Sequence, residues 1–421
     1  MPDIPRAVVI TGMGAVTPAG VGVEVLWAAL RAGHSLARSV PALLESATAA
    51  TIACVVPADA EVDRAPSLLE GKAARRADRF SQLAAIAAGE AIAAAGIGGG
   101  GTGTTDVDPS RAGVIVGTGI GGIGTTIEQG KRHVAGRPTN PLVIPMVMPN
   151  AAAALLAMQL GWTGPSLAIA TACASGAHAI GEASRLVRHG EADVVLAGGA
   201  EAPVHPFVVK AFADLTALST RNDEPALASR PFDQARDGFV IGEGACFCIL
   251  ESEAHAFARG ATVLGRIEGY ARNADAYHLV MPEPSGRGAA SCIEQALTDA
   301  GMSPADIAWV SAHGTSTPYN DAAEATALER VFGTRQPPVT ATKGVCGHLI
   351  GAAGALQVVA AVASLADGWV APIANLDDPD PAFGTRIDLV RDAPRSMVPG
   401  PVLTSAFAFG GHNAALVVSP P

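Results

Sequence analysis

Short apolar runs that end at glycine and lead into helices of small residues recur along the whole chain, and this pattern limits the architecture most. Residues 7–11 (AVVIT), 112–116 (AGVIV), 167–171 (LAIAT), 193–198 (DVVLAG) and 245–250 (ACFCIL) are apolar at consecutive positions rather than at alternate ones. Strands of this kind are covered on both faces. Helix patterns fall between them, at 81–97 with a glycine stop and at 175–190. The alternation predicts an α/β fold with a largely parallel sheet. The second part repeats the theme, with strands at 261–271 and 307–312, helices at 286–301 and 320–332, and PVTATKG (338–344) leading into a Gly/Ala-rich helix from 347. DLVRD (388–392) and LTSAFAF (403–409) close the series. TACASGAHAIGEA (171–183) and TKGVCGHLIGAAGALQ (342–357) follow the same plan, a strand and a tight turn followed by a small-residue helix. The reading is two related halves, 1–255 and 256–421, with the site between them. GIGGGGTGTTD (96–106) reads as a surface loop.

Composition restricts function. With 28 basic and 39 acidic residues the formal charge is −11, which argues against nucleic acid as the main partner. Hydrophobic residues make up 49% and charged residues 16%, and mean hydropathy is +0.31. Either an Ala-rich interior or apolar surface covered by a second subunit accounts for this. The uncharged, apolar run Leu349 to Ala366 is near the lower limit for crossing a bilayer. Gly351, Gly354, Gln357 and Ser364 dilute it, so a buried helix is expected and no membrane partner. No signal peptide is read at the start. The six cysteines form no metal-spaced pairs. Cys246 and Cys248 read as core, and the setting reads as reducing and cytoplasmic.

GTGIGG (117–122) fits a dinucleotide-binding pattern, but no strand ending in an acidic residue follows about 20 residues on, so nucleotide binding is not expected. Three other positions can carry chemistry. Cys173 stands in TACASG between an apolar strand and a helix start, where free N–H groups and the helix dipole lower a thiol's pKa. His313 follows a strand in SAHGTSTP, and His348 opens a helix in CGHLIGAAG. One cysteine and two histidines in glycine-lined strand-end settings suit thiol chemistry in which imidazoles donate hydrogen bonds to a carbonyl oxygen.

Six stretches in order resemble the β-ketoacyl synthases of the thiolase-like superfamily, near the carrier-protein-dependent type II enzymes. They are VVITGMGAVTPAG (8–20), TACASGAHAI (171–180), LSTRNDEPALASRPFDQARDGFVIGEGA (218–245), AHGTSTPYND (312–321), TKGVCGHLIGAAGA (342–355) and AFAFGGHNAAL (406–416). The resemblance implies a duplicated αβαβα fold of five layers and a decarboxylative condensation of an acyl thioester with a malonyl thioester. It makes Cys173 the nucleophile and His313 and His348 the holders of the malonyl carbonyl. The N–H groups of Cys173 and Phe409 become the oxyanion hole, and Phe409 becomes the gate at the acyl pocket mouth, with Phe407 and Gly410 beside it. Lys343 and Glu324 become an ordering pair near the second histidine, with Asn413 in support. Thr315 and Thr317 would bond the pantetheine arm, and Ile120 would line the acyl pocket. Lys72, Arg75 and Arg76 would meet an acidic acyl carrier protein. The implied assembly is a homodimer or a heterodimer with a related chain-length subunit, without metal or other cofactor.

The chain departs from the family at the gate, where Ala408 replaces a glycine, and at His412, where a threonine is usual. Leu142 and Val143 stand where related chains often carry phenylalanines. These departures suggest a pocket shaped for other than ordinary saturated chains. A non-catalytic partner subunit generally lacks the nucleophile, a thiolase uses a second cysteine as base, and a cysteine hydrolase would need an Asn or Asp oriented to a histidine. The two-histidine set favours decarboxylative condensation over all three.

Overall fold

The computed structural model describes residues 5–57, 67–98 and 107–421; most of the glycine-rich loop expected at 96–106 lies outside them. Eleven strands form the main path of one sheet: β1 (Val8–Thr17), β2 (Ala112–Gly117), β3 (Ser166–Ile169), β4 (Val194–Glu201), β5 (Gly244–Ser252), β6 (Gly265–Ala274), β7 (Trp309–Ser311), β8 (Pro338–Thr340), β9 (Asp388–Leu389), β10 (Val402–Ala408) and β11 (His412–Ser419). In space they run β9-β8-β7-β10-β11-β6-β1-β5-β4-β2-β3, with Gly20–Val21 attached to β1.

The order contains one motif twice. From the outside in, β3-β2-β4-β5-β1 and β8-β7-β10-β11-β6 are each parallel, parallel, antiparallel, antiparallel. The two runs join by a short antiparallel contact, Val9 with Arg266 and Ile10 with Gly265. The expectation of a largely parallel sheet is therefore corrected, because the central strands are antiparallel. Unbroken apolar sequence reports cover on both faces, and here the antiparallel centre is as deeply covered as the parallel flanks: every residue of β4 and β5 is buried. Cys246 and Cys248 lie on β5 as core side chains.

Helices complete the five layers. α1 (Arg79–Ala94) and α2 (Ala151–Leu160) pack on the outer face of the first run, α4 (Arg287–Ala300) and α5 (Pro318–Phe332) on the outer face of the second. α3 (Ser175–Arg188) and α6 (Ala353–Asp367) pack together between the two runs. Small residues make this possible. A Cβ on Gly12 or Gly14 of β1 would lie 2.2 and 2.0 Å from the Ala91 and Ala87 carbonyl oxygens of α1. A Cβ on Gly354 of α6 would lie 2.7 Å from Ala177 of α3. The alanine and glycine content thus has a use inside the core. α6 is the apolar run noted in the sequence; the segment Ile350–Asp367 is 83% buried in the central layer, where its apolar surface meets protein.

Local signals set the helix ends. Asp78 caps α1 by accepting from the Phe80 N–H at 3.0 Å. Thr317 caps α5 with Pro318 at its first position. β11 has no separate signal in the sequence; it follows Gly410 and Gly411 so closely that it reads as the tail of the preceding strand.

Candidate active site

The turn between β3 and α3 presents Cys173. Ala172, just before it, holds φ at 49°, an uncommon conformation for a side-chain-bearing residue. Ser175 fixes the turn by accepting from the Thr171 N–H at 2.9 Å and donating to the Ala172 carbonyl at 2.7 Å. The thiol is 6% exposed. From the other half, His313 stands two residues past β7 and the turn before α6 holds His348, whose backbone N–H donates to the Val240 carbonyl at 2.7 Å. The sulfur and the nearest nitrogens of the two imidazoles all lie within 4.8 Å of one another. The imidazoles meet edge to face, with centroids 5.5 Å apart.

The hydrogen bonds of the rings settle their tautomers. His348 Nδ1 accepts from the Ile350 N–H at 3.2 Å, so Nε2 carries the proton. That Nε2 is buried without a partner. His313 Nδ1 faces the Lys343 ammonium at 3.3 Å, which again leaves the proton on Nε2. Burial first, then the Lys343 charge, pushes both imidazoles well below the usual histidine range, so both are neutral donors near pH 7. A metal would need a lone pair on each Nε2, and these tautomers present N–H there, so the cluster is a poor metal ligand set.

Lys343 and Glu324 stand at His313, the first histidine, which corrects their expected place near the second. Lys343 Nζ also donates to the His313 carbonyl. The Glu324 carboxylate accepts from the His313 and Gly314 N–H groups at 2.7 Å each and from Ser405 Oγ at 3.0 Å. The reason is topological: α5, which carries Glu324, begins a few residues after the His313 strand end, so it packs under that turn. Burial raises Glu324 against the lowering effect of the Gly314 and His313 N–H groups, and lowers Lys343 against the raising effect of the Glu324 charge.

The thiol differs from the sequence expectation. Burial drives Cys173 up to about 11, against the lowering effects of Lys343 and of the Phe409 and Cys173 N–H groups. Desolvation of the thiolate outweighs the helix start in this closed turn. Those two N–H groups, which act to lower the thiol's pKa, are the pair expected to form the oxyanion hole.

A cavity of about 660 Å³ opens on the cluster. Cys173, His313, His348, Thr315, Thr317, Ile120, Phe407, Phe409 and Asn413 all line it. Thr315 and Thr317 bond each other at 2.8 Å. Asn413 donates to Asp275 at 2.7 Å and to Asn273 at 2.9 Å. Gly410, with φ at 82°, and Gly411, with φ at 73°, make the turn after Phe409. Ala408 is extended, at φ −122° and ψ 158°, a conformation alanine holds freely. The conformational freedom of the gate therefore rests on Gly410 and Gly411. The His412 ring packs against Gly410 rather than lining the cavity. Leu142 and Val143 also lie off the cavity; Leu142 is on an exposed face. Lys72, Arg75 and Arg76 lie on one short helix, Gly71–Ala74, and its C-terminal flank, and all three are exposed.

Several cavity residues carry no sequence signal. Phe212 and Phe239 stack near Phe409 and His348, at centroid distances of 6.4 and 5.2 Å. His278 and Met281 come from the segment after β6, whose Leu279 carbonyl accepts from the Gly410 N–H at 2.7 Å. Phe212, His278 and Met281 lie in none of the six resembling stretches, and Phe239, inside the third, is not singled out by it; only the fold brings them to the thiol.

Two like-wound sheet runs with a thiol and two imidazoles at a cavity between them define a thiolase-like α/β enzyme. Residues 5–256 match the N-terminal domain of beta-ketoacyl synthases and 264–377 the C-terminal domain. The chain belongs to the β-ketoacyl synthase family and is a condensing enzyme of the acyltransferase type. It is 41% identical over 421 residues to a 3-oxoacyl-[acyl-carrier-protein] synthase 2 of Rhizobium meliloti, covering 98% of both chains. Among solved structures, it is similar to a type II polyketide ketosynthase bound to the hexaketide and complexed with its acyl-carrier protein, with a TM-score of 0.88 and 30% identity over 99% of this chain and 100% of that one. It is likewise similar to the ishigamide ketosynthase/chain length factor, with a TM-score of 0.89 and 33% identity over the same shares.

Proposed function

We propose that this enzyme elongates acyl chains carried on an acyl carrier protein, in fatty acid or type II polyketide synthesis, with the halves 1–255 and 256–421 dividing the chemistry. One observation carries the reading: a thiol and two imidazoles, their nearest atoms all within 4.8 Å of one another, at one cavity.

In this reading the Cys173 sulfur attacks the acyl thioester carbonyl, the carrier's pantetheine sulfur leaves, and the thiol proton goes with it. The N–H groups of Cys173 and Phe409 hold the oxyanion that forms meanwhile. A malonyl thioester then enters along Thr315 and Thr317, and its carbonyl accepts from His313 and His348 Nε2. The electron pair of the bond to the departing CO2 becomes an enolate held by those two donors. The enolate carbon attacks the acyl-Cys173 carbonyl, the cysteine thiolate leaves, and a chain longer by two carbons remains on the carrier. The unpartnered buried N–H of His348 favours this assignment, since such a donor is costly unless a substrate meets it. Lys343, Glu324 and Asn413 orient, and Ile120 bounds the acyl space. No cofactor enters any step, and a reducing cytoplasmic setting suits the six free cysteines.

The carrier protein docks at Lys72, Arg75 and Arg76, a local positive patch on a chain of net charge −11. The partner is a second chain of this fold, identical or chain-length-determining. It covers the β3 edge, where Leu167 is 50%, Met158 66% and Ile144 63% exposed. The test is intact-mass measurement of the protein mixed with acyl- and malonyl-carrier protein, beside Cys173→Ala. An acyl adduct and a β-ketoacyl product, both lost in the variant, support the reading. No adduct on the wild type overturns it.

A further inference from the structure

The Glu201 carboxylate, at the end of β4, is fully buried and plays no part in the steps above. It accepts from Thr118 Oγ1 at 2.9 Å, from the Ile120 and Gly121 N–H groups at 3.2 and 3.3 Å, and from the Gly119 N–H. From the other half it accepts from the Gly351 N–H at 3.0 Å. Among the described residues no cation pairs with it, and burial pushes its pKa up against the pull of these donors. An unpaired buried carboxylate is expensive, and here a cradle of backbone donors offsets the cost. That cradle is GTGIGG, the stretch with the dinucleotide pattern. Its N–H groups are occupied by the chain's own carboxylate, so the loop offers no phosphate site.

The other side of the same loop is the acyl cavity, lined by Gly119 and Ile120. The loop touches both catalytic turns. A Cβ on Gly119 would stand 2.9 Å from Ile350 Cγ2 and 3.6 Å from the Ala172 Cα. A Cβ on Gly351 would stand 2.3 Å from the Gly119 nitrogen. One carboxylate therefore ties together the cavity wall, the turn of Cys173 and the turn after His348. The geometry points to Glu201 as a positioning residue that holds Ile120 in the cavity wall and so sets which acyl lengths reach Cys173. This rests on the elongation reading above. The Glu201 charge also opposes ionisation of the nearby Cys173 thiol, which supplies a second readout.

The test compares wild type with Glu201→Gln, which keeps the volume but turns an NH2 toward the donors. Acyl-carrier proteins of graded chain length are offered singly, and the Cys173 adduct is followed by intact mass. Alkylation of Cys173 by iodoacetamide is followed against pH in parallel. The expected result is a change of about tenfold in the ratio of long to short acyl transfer, the scale of losing a hydrogen bond to a charged group. The alkylation midpoint is expected to move to lower pH. A uniform fall at every length, with the ratio and the midpoint unchanged, overturns the proposal. If Glu201→Gln does not fold, Thr118→Val removes one donor only; a smaller shift in the same ratio supports the proposal and an unchanged ratio overturns it. A wild type that accepts no acyl chain of any length overturns the elongation reading instead, and the inference with it.

Discussion

The two runs of the sheet wind alike but carry different chemistry. In the first, β3 leads through Ala172 (φ 49°) into α3, and the thiol follows the left-handed residue. In the second, β8 leads through Ile350 (φ 46°) into α6, and the imidazole of His348 precedes the left-handed residue by two positions. The second run adds a further imidazole just past β7, where the matching strand β2 ends in the glycine loop. In the proposed function, one scaffold thus supplies the nucleophile from one side and the carbonyl-binding donors from the other. The difference teaches that strained strand-to-helix turns fix where reactive groups stand, while the residue placed at each turn decides which half-reaction it serves.

Breaking one side should leave the other working. Cys173→Ala should abolish the acyl adduct altogether, read by intact mass, because among the described residues no other cysteine lines the cavity. His348→Ala should lower condensation by about 100–1000-fold, the usual cost of one donor to a developing oxyanion, while Cys173 still takes an acyl group. Replacing Lys343 by Met should act on both sides at once. Burial drives the Cys173 thiol up to about 11 even though the Lys343 charge lowers it, so loss of that charge should move the pH midpoint of Cys173 alkylation upward. A downward movement would contradict the placement of its charge. The smallest effect is expected on the surface: Lys72→Glu, Arg75→Glu and Arg76→Glu together should raise KM for the carrier protein by about tenfold with kcat unchanged, and the difference should shrink as salt rises.

Much of this is legible in the sequence, and the rest is hidden for physical reasons. Cys173, His313 and His348 stand out because each lies in a glycine-lined setting at a strand or helix end. The two-fold repeat shows in the matching TACASGAHAI and TKGVCGHLIG stretches. Strand direction does not show, since an apolar run reports burial on both faces and says nothing of its neighbour's orientation. Lys343 and Glu324 are misplaced from sequence because the nearness of Lys343 to His348 along the chain hides the packing of α5 beneath His313. The direction of the thiol's shift is misjudged because a helix start is visible in sequence and desolvation is not. Phe212 and Glu201 give no signal and Phe239 is not singled out within its stretch, as each acts through contacts distant in the chain.

The central claim is the division of labour between the halves, and decarboxylation of malonyl-carrier protein without an acyl donor tests it most directly. Release of CO2 should persist in Cys173→Ala and fall by about 100–1000-fold in His348→Ala. Acyl transfer should show the reverse, lost in the first variant and kept in the second. If both variants lose both activities while staying folded, the two halves act as one unit and the account is wrong.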